Sequence, residues 1–507
     1  MQGRWVAALV AFRLANALFV RTYYNPDEFW QSSEVAHHLV YGYGYLYERV
    51  AARLTTWEWQ PDARLRGYAH PALFALLYKF LQLLGLDTPW AVAYGPRLLQ
   101  GLLAAVGDVF LYKLAFRYLG EGAARWALFS QLTSWFAFYT LVRTYSNSVE
   151  AVCTTVALAF WPWAHETDAA KPAAFWRRAH WGLGVAAIGV VFRPTNAVLW
   201  LFLGLRLLAA APDPRYLLLS IVAPIAAVAL GAMLLIDRVG YGSWTFVPLN
   251  FVRFNVLEGK DALYGAHPWH WYLLAGFPEA AATSLPLALY GVCRTHRREL
   301  AALVLWALVV YSCGAHKEPR FLLPLLPPTF VYAGRGLQCL AVELPTKLFR
   351  LLVALCVLAN GAAAIFLARY HQRAPLDVLD HLRDAVQRDP AASIDLFLPC
   401  HATPFYSHIH RNVPMWSPSC APEYREVGTE SDRVRAAPLA VAEERYAVYR
   451  PTFIVMYTSS AAAINPVRLA SWGYVEDARF FHSQFNMDLD VPGFEAHMLV
   501  YRHTRKT

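Results

Sequence analysis

Two adjacent carboxylates stand at the edge of an apolar run. Asn25-Pro26-Asp27-Glu28 follows directly on the stretch Trp5 to Val20 and leads into Phe29-Trp30-Gln31. Acids beside a Pro turn, packed with aromatics at a membrane surface, sit in a partly dry site. Desolvation raises a carboxylate's pKa and makes it a better base. The same pair also suits a solvated helix N-terminus, where acids face the positive end of the dipole, and the pair alone does not choose between the two.

Two further segments carry chemistry. In Tyr264-Gly265-Ala266-His267-Pro268-Trp269-His270-Trp271-Tyr272, His267 and His270 stand three apart among aromatics. They can meet a metal, a phosphate or sugar hydroxyls. Two such ligands fall short of a zinc site, and Trp269 with its neighbours favours stacking on a sugar, against the alternative of an interfacial aromatic belt. His316-Lys317-Glu318-Pro319-Arg320 is wedged between the apolar runs 300–314 and 321–341. Charges so placed are costly near lipid and mark function by default. His316, Lys317 and Arg320 suit a lipid phosphate leaving group, whose charge they would neutralise as a sugar–phosphate bond breaks; a snorkelling turn is the competing reading. Arg13, Asn16 and Asp108 within apolar runs, and Arg143, Asn147, Glu150, Arg193 and Asn196 at run ends, are equally explained by hydrogen bonds between helices.

The elements that must hold these residues are membrane helices. Of 507 residues, 57% are hydrophobic and 16% charged, where a soluble domain carries about a quarter charged. Apolar runs follow the first near 71–86, 96–118, 126–142, 149–164, 181–192, 197–211, 216–236, 272–292, 300–314, 320–341 and 348–369. Several are shorter than the roughly 20 residues a bilayer needs, and the expectation is about 10–12 spans. No small-residue cleavage site follows Val20, so the first run reads as an uncleaved span. The basic connectors Arg117–Arg125, His165–Arg178 and Cys293–Glu299 belong in the cytoplasm by the positive-inside rule. The long loops 22–70 and 237–271 then face the lumen, the first with Asp27, Glu28, Glu34, Glu48, Glu58 and Asp62. From about residue 371 the chain turns polar, with strand-like Ile394–Leu398, Phe453–Tyr457 and His497–Tyr501. The expected organisation is an α-helical multi-pass domain over 1–370 and a small soluble, luminal α/β domain over 371–507.

The net charge of +9 suits basic cytoplasmic loops and an anionic leaflet or phosphorylated substrate. Nucleic acid is not indicated, because no arginine cluster is interleaved with aromatics in a soluble module. Five of the seven cysteines lie in apolar runs and read as small hydrophobes. Cys400 and Cys420 lie in the polar tail, where a disulfide can form if that part is luminal. The chain has no CxxC, so structural zinc is not expected.

Together these segments resemble the endoplasmic-reticulum mannosyltransferases that use dolichyl-phosphate mannose, glycosyltransferase family 22. That family's acidic pair is matched by Asn25-Pro26-Asp27-Glu28, and its His-Lys-Glu-x-Arg-Phe element by His316 to Phe321. Within it the match is closest to the group that adds the third mannose of glycosylphosphatidylinositol (GPI) precursors. Asn25–Gln31, Glu34-Val35-Ala36-His37, Thr56-Trp57-Glu58-Trp59 and Pro96-Arg97-Leu98 carry that narrower match, followed by Arg193-Pro194-Thr195 and Asp237-Arg238. Gly242-Ser243-Trp244-Thr245, His267 to Tyr272 and Pro399-Cys400-His401-Ala402-Thr403-Pro404 complete it. The likeness covers about residues 5 to 420. It departs from the family in about eight or nine extra residues near Tyr47–Thr55, and it is loose after about residue 421.

The resemblance implies a GT-C multi-span fold and an inverting single displacement that makes an α1,2 linkage. Asp27 would be the base, with Glu28 orienting it or sharing the role. His316, Lys317, Arg320 and Arg193 would hold the donor phosphate, and His267, Trp269, His270, Trp57 and Glu58 the sugar or acceptor. The donor is dolichyl-phosphate mannose, the acceptor a GPI glycolipid in the reticulum membrane, and no metal or cofactor is chemically required. Two alternatives stand beside this reading. One is a mannosyltransferase acting on the lipid-linked N-glycan precursor; the other is a multi-pass transporter or scramblase, for which paired halves and broken helices are the signature.

Overall fold

The computed structural model describes residues 3–43, 56–163, 172–420, 428–484 and 495–504. The extra residues near 47–55 lie outside the described residues. The chain forms two compact units with interleaved segments: Met1–Leu18, Arg64–His70 and Arg97–Ala364 in the first, and Phe19–Ala63, Pro71–Pro96 and Ile365–Thr507 in the second.

The first unit is helical, with a core that includes Leu111, Leu114, Phe136, Leu158, Leu303, Phe330 and Val331. Among the described residues of the whole chain, three helical stretches are by length and composition apolar enough to cross a membrane: Pro89–Leu119, Pro214–Tyr241 and Thr346–Arg388. Pro214–Tyr241 has a mean hydropathy of 2.5 and only 11% of its apolar window buried, so most of its surface requires lipid. Other apolar runs form shorter or interrupted helices. The run 126–142 breaks at Ser134, whose Oγ accepts from the Ala137 amide and starts a new helix. The run from 320 begins as the 3-10 turn Pro319–Leu325, because prolines at 319 and 324 remove amide donors, and becomes α-helical at Leu326–Glu343.

Helix packing here depends on small residues, as expected where lipid removes the hydrophobic drive between helices. A Cβ on Gly291 would lie 1.9 Å from the Tyr332 carbonyl oxygen, and one on Gly334 would lie 2.3 Å from that of Ala123. Ser284–Cys293, Leu326–Glu343 and Glu121–Thr133 therefore approach backbone to backbone. Polar residues inside spans find partners. Arg13, fully buried, donates twice to Asp108 at 2.7 Å; Gln131 donates to the same carboxylate, and Asn16 to the Phe138 carbonyl.

The second unit holds a five-stranded sheet of β1 (Ile394–Phe397), β2 (Met415–Trp416), β3 (Phe453–Tyr457), β4 (Tyr474–Phe481) and β5 (His497–His503), in the order β2-β1-β3-β5-β4. β1 pairs in parallel with β2 and β3, and β5 runs antiparallel to β3 and β4. Alternation along β3 and β5 sends Phe453, Val455, Met498 and Val500 into one core, and Ile454, Met456, Leu499 and Tyr501 into another. Helix Ala374–Arg388 closes the first face with Leu376, Leu379, Leu382 and Val386, which recur at helical spacing. Tyr23, Phe29 and Trp30 join that same core, so the stretch bearing the acid pair folds with the tail.

Candidate functional site

In the first unit two segments read separately from the sequence interlock. Asp261 lies on the 3-10 turn Lys260–Tyr264, and its carboxylate accepts from the backbone amides of Ala315 and His316 at 2.7 and 3.2 Å. The His267 amide donates to the Ala315 carbonyl at 3.0 Å. The Lys317 ammonium returns to the His267 carbonyl at 2.9 Å and to that of Gly314. His316 Nδ1 meets the Gly265 carbonyl at 3.1 Å, and the Tyr272 hydroxyl accepts from the Glu318 amide at 3.3 Å. The aromatic loop thus serves as a brace for the charged one.

At the centre is Glu318. Arg320 donates to it in a fork, Nε and Nη2 each at 2.6 Å, and His316 Nε2 lies 3.0 Å away. Burial alone would raise the Glu318 carboxyl, but Arg320 and His316 against it hold it well below the usual carboxylate range. The Arg320 guanidinium lies over the Tyr145 and Phe321 rings, 5.3 Å from each centroid. Arg193 lies 5.2 Å from the same Phe321 ring, 3.2 Å from Glu150, and donates to Ser146 Oγ at 3.0 Å. Two guanidiniums, each paired with a glutamate, therefore share one aromatic ring. Glu150 is held in turn by Asn196, which donates to it at 3.1 Å. His267 stacks on Trp271 at 4.6 Å, whereas Trp269 is exposed, edge-on to His270 at 5.5 Å.

In the second unit Asp27 and Glu28 open a helix that continues through the π-turn Phe29–Ser33 into Glu34–Tyr41. Asn25 Oδ1 accepts the Asp27 amide at 2.9 Å, the side-chain turn expected of Asn before Pro. Asp27 is half-buried and Glu28 fully buried. The following face meets the element 399–410: Trp30 Nε1 donates to the Thr403 carbonyl at 3.0 Å, and the Tyr23 hydroxyl donates to that of His401. Glu34 accepts from the amides of Phe405 and Ser407 at 2.7 and 3.1 Å and from Ser407 Oγ at 2.5 Å. His37 Nε2 is bonded to His410 Nδ1 at 3.0 Å. Trp57 and Glu58 form a 3-10 turn with Trp59, and Glu58 accepts from Gln31 at 3.0 Å. Cys400 and Cys420 are joined by a disulfide across 20 residues. Closing a loop of that size removes about 3 kcal/mol of unfolded-chain entropy.

The second unit should lose stability on acidification. Burial, with His410 and His38, pushes His37 well below its ordinary 6.5, and burial pushes His401 down to about 4 and His410 down as well. The folded unit then binds fewer protons at these sites than the unfolded chain. Their stabilisation is full above pH 6.5 and is lost as pH falls toward the folded values. Glu34, pushed up by burial to about 7, has the opposite sign: its contribution is full below 4.5 and is lost as pH rises toward 7. Burial also lowers His38, His371 and His482 and raises Asp377, Asp395 and Glu495. Among the described residues of this unit six lowered histidines therefore stand against four raised carboxyls, and the net is a loss of stability as pH falls from 6.5 to 4.5. Hydrogen exchange of the β3 amides at pH 7 and pH 5 reads this. Greater protection at pH 5 contradicts it.

Sequence reasoning missed Asp261, whose acid gives no sign that it serves backbone amides 54 residues on. It missed the Glu34–Ser407 clamp for the same reason, although Glu34 stood in a quoted motif. Glu150 and Arg193 had been singled out, but not as a pair.

With the geometry in place, comparison with known proteins is informative. The model of the Alg9-like mannosyltransferase family matches residues 4–410. Mannosyltransferase APTG1 of Arabidopsis thaliana is 38% identical over 506 residues, covering 95% of this chain and 89% of its own. GPI alpha-1,2-mannosyltransferase 3 of Homo sapiens is 36% identical, over 98% of this chain and 86% of its own. Among solved structures, ArnT from Cupriavidus metallidurans bound to undecaprenyl phosphate superposes with a TM-score of 0.56 over 99% of this chain and 98% of its own, at 13% identity. The GT-C architecture expected from the sequence is the one the chain adopts.

Proposed function

The chain belongs to the Alg9-like mannosyltransferase family, a membrane glycosyltransferase family, and from that premise we infer that it adds the third mannose of the GPI core, in α1,2 linkage, to the second mannose. The donor in this reading is dolichyl-phosphate mannose, and the reaction takes place at the lumenal face of the endoplasmic reticulum. The observation that carries it is the pair of glutamate-held arginines sharing the Phe321 ring, braced by the aromatic loop. Such a site suits the phosphodiester of a lipid-linked sugar.

The acceptor hydroxyl oxygen forms a bond to mannose C1 as the C1–O bond to phosphate breaks, inverting that carbon. The electron pair of the broken bond leaves with dolichyl phosphate, and the acceptor proton goes to the Asp27 carboxylate. Glu28, fully buried, orients Asp27 or shares its role in this reading. The phosphate gains charge as it leaves, so Arg320 and Arg193 act mainly in the transition state. His316 shares Glu318 with Arg320 and tunes that pair. Lys317 spends its ammonium on two carbonyls and holds the loop. His267, Trp269, His270, Trp57 and Glu58 are read as the residues that contact sugar or acceptor. The leaving phosphate needs no proton, so the reaction requires no general acid. The basic connectors and the Cys400–Cys420 disulfide support the lumenal placement.

Complementation tests the acceptor. In cells unable to add the third GPI mannose, the chain should restore surface GPI-anchored proteins and clear the accumulated two-mannose glycolipid. A well-expressed chain that fails there, yet extends a lipid-linked N-glycan precursor, moves the acceptor to that pathway.

A further inference from the structure

We propose that Glu34 is a positioning residue for mannosyl transfer: it fastens the element 399–410 to the acid-bearing helix and so fixes where the Asp27 carboxylate stands. The inference rests on the reading of Asp27 as the base.

Glu34 lies seven residues beyond Asp27 on the same continuous helix. Between them is the π-turn Phe29–Ser33. Such turns are rare and recur at functional sites. The element 399–410 supplies several of the contacts from outside the helix. Trp30 gives its indole N–H to Thr403 and lies 4.6 Å from the His401 ring, and Phe29 meets His408 edge-on at 5.3 Å. These grip the π-turn itself. Glu34 grips its C-terminal end, with both carboxylate oxygens taking donors from 405 and 407.

The clamp sets both carboxyl oxygens of Glu34 against donors, two amides and a hydroxyl. A glutamine would turn an NH2 toward amide N–H groups. The element it holds is itself fixed by the Cys400–Cys420 disulfide and by helix Ala374–Arg388, whose residues share its core. Loosening Glu34 therefore frees the lighter partner, the acid-bearing helix. Over a lever of about 10 Å, a tilt of roughly 6° displaces Asp27 by about 1 Å. Displacements of that size cost about 10²-fold in rate.

The test is a cycle with Asp27, using purified full-length chain, radiolabelled lipid-linked mannose donor and two-mannose glycolipid acceptor. Glu34→Gln should lower kcat by about 10- to 100-fold with donor KM within about threefold, and Ser407→Ala, a gentler change, by a smaller factor in the same direction. In an Asp27→Asn background, followed by single-turnover label transfer over hours, Glu34→Gln should cost less than about twofold, because no base remains to misplace. Hydrogen exchange at Phe405 and Ser407 should quicken in Glu34→Gln while the β3 amides stay protected. Equal losses in both backgrounds overturn the positioning role and leave the base assignment standing. Wild-type kcat in both Glu34→Gln and Ser407→Ala also overturns it. Wild-type kcat in Asp27→Asn removes the base, and this inference with it.

Discussion

Asp27→Ala should leave a folded chain that transfers mannose roughly 10²–10⁴-fold more slowly, the range lost when a positioned general base is removed. The loss should appear in kcat rather than in donor KM, because the proton moves only as the acceptor oxygen attacks. Local geometry favours Asp27 over its neighbour. Its amide is tied to Asn25 Oδ1 and its side chain is half-buried, so the carboxylate can meet an incoming hydroxyl. Glu28 is fully buried and faces protein. Glu28→Gln should therefore be the milder kinetic lesion and the worse one for stability. The measurement is turnover of purified variants against a labelled donor, with thermal midpoints recorded alongside. An Asp27→Ala enzyme of wild-type kcat and normal midpoint would falsify the assignment.

The contrast between the two acids shows what the sequence makes legible. Asp27, Glu28 and the His316–Arg320 run stand out because charges adjacent in sequence, next to apolar runs, cannot be accounted for by ordinary burial. Residues that act on distant backbone leave no such trace. Glu34 clamps Ser407 across 373 residues, and Asp261 reads as one acid in a polar loop. Lys317 carries a tie the sequence hides: its ammonium is bonded to the carbonyls of His267 and Gly314.

The fold divides along similar lines. The strands at Ile394, Phe453 and His497 were visible from short apolar runs, and the observed β1, β3 and β5 begin at those residues. Their order, β2-β1-β3-β5-β4, depends on pairings between segments far apart and was not readable. Nor was the joining of residues 19–63 and 71–96 to the tail in one unit, because Tyr23, Phe29 and Trp30 look like membrane-belt aromatics until the core they fill is seen. Continuous apolar runs marked the helices, but breaks such as Ser134 and the prolines after Glu318 depend on single residues within those runs.

Arg320 offers the other large effect. Arg320→Lys keeps the charge but loses the fork that engages both Glu318 oxygens. It should lower kcat/KM for the donor by about 10²-fold, the scale of one or two charge-assisted hydrogen bonds. Arg320→Ala is a less informative variant. It strands a buried carboxylate, and breaking such a pair costs about 3–5 kcal/mol of stability, so lost activity could reflect lost protein. Arg320→Met combined with Glu318→Gln removes both charges together and should recover most of that stability while leaving transfer as impaired as in Arg320→Ala. Lys317→Met supplies the contrast, with a lowered thermal midpoint and a donor KM close to wild type in whatever folds. If the double variant regains activity along with stability, Arg320 serves the fold and the phosphate must be held elsewhere. If it regains stability alone, the guanidinium is needed for the leaving group, and Arg193→Lys, at the same Phe321 ring, should then produce a second, smaller loss of the same kind.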